Sequence, residues 1–181
     1  MPSVTRLLDA SAMARTLSRM AVEIIERCGG TEGVLLVGIQ RRGVELAHRL
    51  ARQIEDSHQR PIPLGKLDIT LYRDDLSAIG PRPRVGETDL PDEVEGCLVV
   101  LVDDVLYTGR TVRAALDELA DFGRPRRILL AVLVDRGGRE LPIQADVVGL
   151  VADTTWADRV EVAVDELDGR DAVDLVRGAT S

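Results

Sequence analysis

The chain has 181 residues, of which 45 % are hydrophobic and 30 % charged, with a formal net charge of −8. This excludes a disordered chain and gives enough length to bury the core of one domain without disulfide or metal staples. The acidic balance argues against a protein that coats nucleic acid indiscriminately. No apolar run approaches the ~20 residues that span a bilayer and no secretory leader opens the sequence, so a cytoplasmic protein away from membranes is expected.

With one Phe, one Trp and two Tyr, the core must be built from Leu, Val, Ile and Ala. Cys28 and Cys97 stand far apart with no second Cys or His at ligand spacing, as reduced thiols do. Every basic side chain except Lys66 is Arg. The guanidinium suits bidentate phosphate contacts, but so complete a skew reflects genome composition.

In chain order, Met13, Leu17, Met20, Ala21, Ile24 and Ile25 recur at helical spacing behind a cap at Asp9 or Ser11. Gly29-Gly30 ends that helix. "VLLVGI" (34–39) reads as a strand buried on both faces, and Val44, Leu46, Ala47, Leu50, Ala51 and Ile54 mark a second helix. "LDITLY" (67–72) reads as another strand. Residues 73–92 hold three prolines, two glycines and no periodicity, which suits a lid. A strand at 98–102, a helix from 111 to 122 and a buried strand at 127–134 follow, then shorter strands near 147–151 and 160–164. His48 falls mid-helix and His58 in a polar turn, so neither suits catalysis. Buried strands alternating with helices predict an α/β fold with a right-handed, mostly parallel twisted sheet flanked by helices.

The stretch "LVVLVDDVLYTGRTV" (98–112) drives an apolar strand into two adjacent carboxylates. In such sheets ligands sit beyond the carboxyl ends of the strands, where Asp103 and Asp104 are expected. Thr108-Gly109-Arg110-Thr111 then opens a helix, whose free N–H groups and dipole favour an anion. The pattern points to a phosphate on the turn and a polyhydroxylated sugar or metal chelate under the carboxylates. There is no GxxxxGK[ST] and no GxGxxG after a strand, so it is neither a Walker A loop nor a dinucleotide fingerprint.

"VLVDDVLYTGRT" resembles the ribose-phosphate signature of the type I phosphoribosyltransferases, whose shared substrate is phosphoribosyl pyrophosphate (PRPP). "GIQRRG" (38–43), "LDITLYRDDL" (67–76), "LVDDVLYTGRTVRAALD" (101–117), "GRPRRILLAVLVDRG" (123–137) and "RELPIQAD" (139–146) follow in the order of the PyrR family. These are pyrimidine operon attenuators that also have uracil phosphoribosyltransferase activity. The resemblance covers roughly residues 7–150 and implies one phosphoribosyltransferase domain over 1–181, with a lid at about 73–92 and a small hood at about 134–160.

The resemblance also assigns roles. Asp103 and Asp104, with Arg73, would be the catalytic groups, the two acids holding the ribose hydroxyls and, indirectly, Mg²⁺. Gly38, Arg41, Arg42 and Gly43 would form the pyrophosphate loop. Val105, Leu106, Tyr107, Thr108, Gly109, Arg110 and Thr111 would complete the PRPP and UMP site, the last five around the 5′-phosphate. Tyr107 stands where purine enzymes of the superfamily usually carry a carboxylate, which favours uracil. Arg136 and the backbone near Val160 would contact the base. The second role implied is binding a stem-loop of leader mRNA through a basic face of a homodimer or higher homo-oligomer, with Ser18, Arg19 and Arg139 as contacts.

The sequence departs from that pattern in places. Val22, Gly138, Gln144 and Leu150 replace basic or His side chains, Arg41 replaces a Thr, and "GLVADTTWADR" (149–159) is divergent. A phosphoribosyltransferase without RNA binding and a nucleotide sensor with another partner therefore stand as alternatives.

Overall fold

The computed structural model describes residues 3–73, 86–91 and 94–178. Its elements are strand β1 (Val4–Leu8), helix α1 (Ala10–Cys28), β2 (Val34–Ile39), α2 (Arg42–His58), β3 (Leu64–Leu67), β4 (Leu98–Leu106), α3 (Arg110–Phe122), β5 (Arg127–Asp135), β6 (Val147–Val151), β7 (Arg159–Ala163), the short α4 (Asp165–Asp168) and β8 (Ala172–Val176). Most of the proposed lid, 74–85 and 92–93, lies outside the described residues. No helix among the described residues is long and apolar enough to cross a membrane.

Five strands form a parallel sheet in the order β3-β2-β4-β5-β6. Alternation along each strand sends its side chains to two separate cores. Leu36, Val100 and Val102 pack with Leu17, Met20, Leu46 and Leu50 of α1 and α2. Val37, Val99 and Leu101 pack with Val112, Ala115 and Leu119 of α3. At about 2 kcal/mol for each large apolar side chain removed from water, these two layers are what hold the sheet's carboxyl edge in place.

Asp9 caps α1 by accepting from Ala12 N at 2.7 Å, and Gly29 closes it in the left-handed conformation (φ 76°). The expected strand at 67–72 is corrected. The Asp68 carboxylate accepts from Thr70 N at 3.0 Å and winds Ile69–Tyr72 into a 3₁₀ turn, so the strand is the preceding Leu64–Leu67. His58 is corrected too: it is the last residue of α2, with Nδ1 3.2 Å from Ile54 O. The strand read at 98–102 runs on to Leu106, so Asp103 and Asp104 lie within it.

A second, antiparallel sheet has the order β1-β8-β7. The expected hood at 134–160 therefore divides: 147–151 is an edge strand of the main sheet, and the small sheet takes β1 and β8 from outside that range. Asp158 fastens its loop. It accepts from Thr155 N (2.8 Å), Gly178 N (3.0 Å), Thr155 Oγ1 (3.0 Å) and Arg177 Nη1 (3.1 Å). The Thr155 amide first, then Gly178, outweighs burial and holds the carboxyl down to about 2. A carboxylate depressed in the fold contributes stability above its ordinary value near ~4, lost as pH falls through about 2. An Asp158→Asn protein is expected to melt earlier at neutral pH and to show a shallower acid limb in a pH series of melting temperatures. Parallel curves for the two proteins would contradict this.

Candidate active site

The carboxyl end of β4, the start of α2 and strand β7 enclose a cleft of about 520 Å³. Glycines bring the elements this close. A Cβ on Gly43 would lie 2.5 Å from Val102 O, and one on Gly38 would lie 2.6 Å from Gly43 O, so α2 starts against bare backbone. The Gln40–Arg41 peptide between these glycines is cis. Arg41 is exposed, and Arg42 turns into the cleft.

The two adjacent acids have different surroundings. Asp103 is 6 % exposed, and its Oδ1 accepts from Asp104 N at 2.9 Å. Burial, with Asp104 beside it, pushes its carboxyl well above the usual range. Asp104 is half-exposed on the cleft wall, with Oδ1 accepting from Val105 N at 2.8 Å. The pair thus offers one reluctant and one accessible carboxylate. Among the described residues no group of three or more His, Cys, Asp or Glu could hold a metal by itself. Two acids alone fit an ion that takes most of its oxygens from elsewhere, such as a bound ligand's phosphates and water.

After Val105 and buried Leu106 the chain turns through Tyr107–Gly109 into α3. Gly109 has φ 92°, and a Cβ there would press on Ile143 at 3.3 Å. Thr108 Oγ1 accepts from Arg110 N at 3.3 Å, while its carbonyl accepts from Glu140 N and Leu141 N. Arg110 Nε pairs with Glu140 at 2.7 Å, and Thr111 is exposed in the first turn. The segment 137–143 therefore braces the turn from behind.

The Arg136 guanidinium lies 3.9 Å over the Tyr107 ring, a cation–π stack that is 93 % removed from water on the Arg side by its 7 % exposure. Its Nη2 donates to Thr155 O at 2.9 Å, and its buried Nε has no hydrogen-bond partner among the described residues. Val160, the other expected base contact, lines the cleft near Asp104. Arg73 follows the 3₁₀ turn in extended conformation and is not among the cleft's lining residues.

The expected RNA contacts are spread out. Ser18 Oγ donates to Ala14 O at 3.1 Å, and Arg19 reaches Gly149 O at 2.5 Å. Arg139 is engaged with Asp135 (2.6 Å), Ile143 O (2.8 Å) and Tyr107 O (2.9 Å). Its donors hold the 107–143 turn together. Sequence reasoning missed Glu161, Asp168 and Arg170, which face the cleft from the small sheet. Their signal was the alternation "VEVAV" followed by an Asp-Gly turn and "AVDLV".

Residues 3–166 match the Phosphoribosyl transferase domain family. "Bifunctional protein PyrR" of Thermus thermophilus is 59 % identical over 169 residues, 93 % of each chain. The protein of the same name from Chloroflexus aurantiacus is 57 % identical over 176 residues, 97 % of each chain, and that of Ligilactobacillus salivarius 51 % over 172, 94 % of this chain and 97 % of that one. The hypoxanthine phosphoribosyltransferase of Trypanosoma cruzi superposes with a TM-score of 0.72 at 18 % identity, over 96 % of this chain and 97 % of that one, which is a likeness of fold. A parallel sheet ending in paired acids and a tight turn into α3, together with these relatives, leads to one conclusion: the chain belongs to the phosphoribosyl transferase domain family and, within it, to the PyrR family.

Proposed function

We infer that the protein joins uracil to the ribosyl group of PRPP, releasing pyrophosphate, and regulates a pyrimidine operon by binding its leader mRNA. The observation that carries the enzymatic half is the cleft that Asp104 and Arg42 share, one turn before a helix N-terminus. In the reaction N1 of uracil forms a bond to C1′ while the C1′–pyrophosphate bond breaks, and N1 loses its proton. Charge develops on the sugar and on the leaving group, so catalysis is chiefly placement and electrostatics.

Asp103 and Asp104 hold the ribose hydroxyls, the N–H groups opening α3 and the two Thr hydroxyls take the 5′-phosphate, and Arg41 and Arg42 take the pyrophosphate. The acid pair would support Mg²⁺ indirectly, and the ion would supply charge neutralisation at the phosphates. Arg136 over Tyr107 and the backbone at Val160 position the base, and the neutral phenol there suits a pyrimidine. Uracil, PRPP and Mg²⁺ are expected to give UMP and pyrophosphate, with turnover lost in excess EDTA. Hypoxanthine or orotate consumed while uracil is not would reverse the base assignment.

For the regulatory half, Arg15, Arg19, Arg41 and Arg139 supply fewer cations than the family pattern, and Arg139 is tied up internally. Leader-hairpin binding is therefore expected to be weaker or differently specified, with four to six phosphate contacts giving a salt slope of roughly −3 to −4. A gel-shift salt series with and without UMP tests this. A tight, UMP-enhanced complex with a steep slope would place the RNA face elsewhere. Binding indifferent to RNA sequence and UMP would leave the enzyme alone, the reading that Arg139's inward contacts favour.

A further inference from the structure

Two arginines on α2 grip the short α4 turn of the small sheet. Arg49 takes both carboxylates flanking that turn, Glu166 at 2.9 and 2.5 Å and Asp171 at 2.9 and 2.8 Å. Arg42, seven residues earlier and so on the same helix face, meets Asp168. Its Nε donates to Oδ2 at 3.2 Å and its Nη2 to Oδ1 at 2.8 Å. The two clamps differ in what they face: Arg49 and its partners stand off the cleft, whereas Arg42 and Asp168 both line it beside Asp104.

A guanidinium has five donors and two edges that can each serve an anion bidentately. Asp168 takes the Nε–Nη2 edge of Arg42. The end-on edge, Nη1 with the second Nη2 hydrogen, has no hydrogen-bond partner among the described residues. Asp168 is itself held, because its Oδ2 also accepts from Val164 N at 2.8 Å and the turn around it is tied by Arg49. A carboxylate pinned by a backbone amide cannot easily withdraw, so it acts as a bracket and not as an anion waiting to be displaced. Without it, a flexible Arg would have to be immobilised at the moment of binding.

We propose that Asp168 is a positioning residue for Arg42, fixing its guanidinium so that the end-on edge meets the pyrophosphate group of PRPP. The proposal rests on the reading of the cleft as the PRPP site. It goes beyond that reading by assigning to the small sheet, through α4, control over the affinity of a loop that belongs to the main sheet.

The test is calorimetric titration of Mg²⁺-pyrophosphate beside steady-state kinetics. Asp168→Asn keeps the shape and an oxygen for Val164 N but loses the charge. It is expected to weaken pyrophosphate binding and raise KM for PRPP about tenfold, the lower end for loss of an orienting outer partner. KM for uracil is expected to stay within about twofold, and Asp168→Glu to recover part of the loss. In an Arg42→Ala background, Asp168→Asn is expected to add nothing, because the two act as one unit. Glu166→Gln loosens the other clamp and is expected to leave pyrophosphate affinity nearly unchanged. Should it reproduce the Asp168→Asn effect, the role is general bracing and the proposal fails. Equal or tighter binding by Asp168→Asn, or additive effects with Arg42→Ala, also overturns it while the cleft assignment stands. A wild-type protein that neither binds pyrophosphate nor turns over PRPP would remove the cleft assignment itself, and the proposal with it.

Discussion

Asp104→Asn is expected to lower kcat/KM for PRPP by about two to three orders of magnitude, the scale seen when one preorganised charge-stabilising group is lost. The substitution changes little else. Asn keeps an oxygen for the Val105 amide, the position is half-exposed, and no apolar contact of either core is touched. Stability should therefore stay within about 0.5 kcal/mol of wild type, as for most partly exposed substitutions. What disappears is the negative charge on the cleft wall, proposed to face the ribose, beside a neighbour whose carboxyl burial already drives toward the protonated form. Asp103, 6 % exposed, does not replace that charge. Steady-state kinetics with PRPP varied, alongside a urea melt, separates the two effects. Near-wild-type kcat/KM would mean that Asp104 serves only the strand end.

A large effect on the fold is expected at Gly43. An added methyl would sit 2.5 Å from Val102 O and 3.2 Å from Asp103 Cα, which are backbone atoms of the central strand and cannot swing away. Either the helix start or β4 must move. Overpacking of this kind costs about 3 kcal/mol, the upper part of the usual range. Gly43→Ala should shift the urea midpoint down with an unchanged slope. It should also weaken PRPP binding, because displacing the first turn of α2 carries Arg42 with it. A normal midpoint would show that α2 can slide outward freely and that its approach to β4 is not required.

These elements show what a sequence reveals and what it withholds. Strands β2, β4 and β5 are buried on both faces and appear as unbroken apolar runs, so periodicity alone locates them. The acid pair and the Thr-Gly-Arg-Thr turn are equally legible, because one local stretch carries the whole pattern. Residues 67–72 mislead, since the hydrogen bonds from Asp68 override a good strand composition. Of the small sheet, the strand near 160–164 is legible, while β1 and β8 escape notice for another reason: β1 is largely exposed and pairs with residues about 170 positions away. Asp168 belongs to the same class. The Asp-Gly turn marks its place, but its pairing with Arg42, 126 positions away, exists only once α4 folds back on α2.

The strand order β1-β8-β7 has a consequence for how the chain is made. Its middle strand is the last of the three to be synthesised, so β1 waits through the whole parallel sheet before a partner exists. During translation the main sheet, with Asp104 and the Thr108–Thr111 turn, can assemble while the wall that carries Val160 and Asp168 is still unpaired. A nascent or C-terminally clipped chain lacking residues 172–176 would thus present an open floor with no opposite wall. Completion of the cleft's second wall is tied to completion of β8.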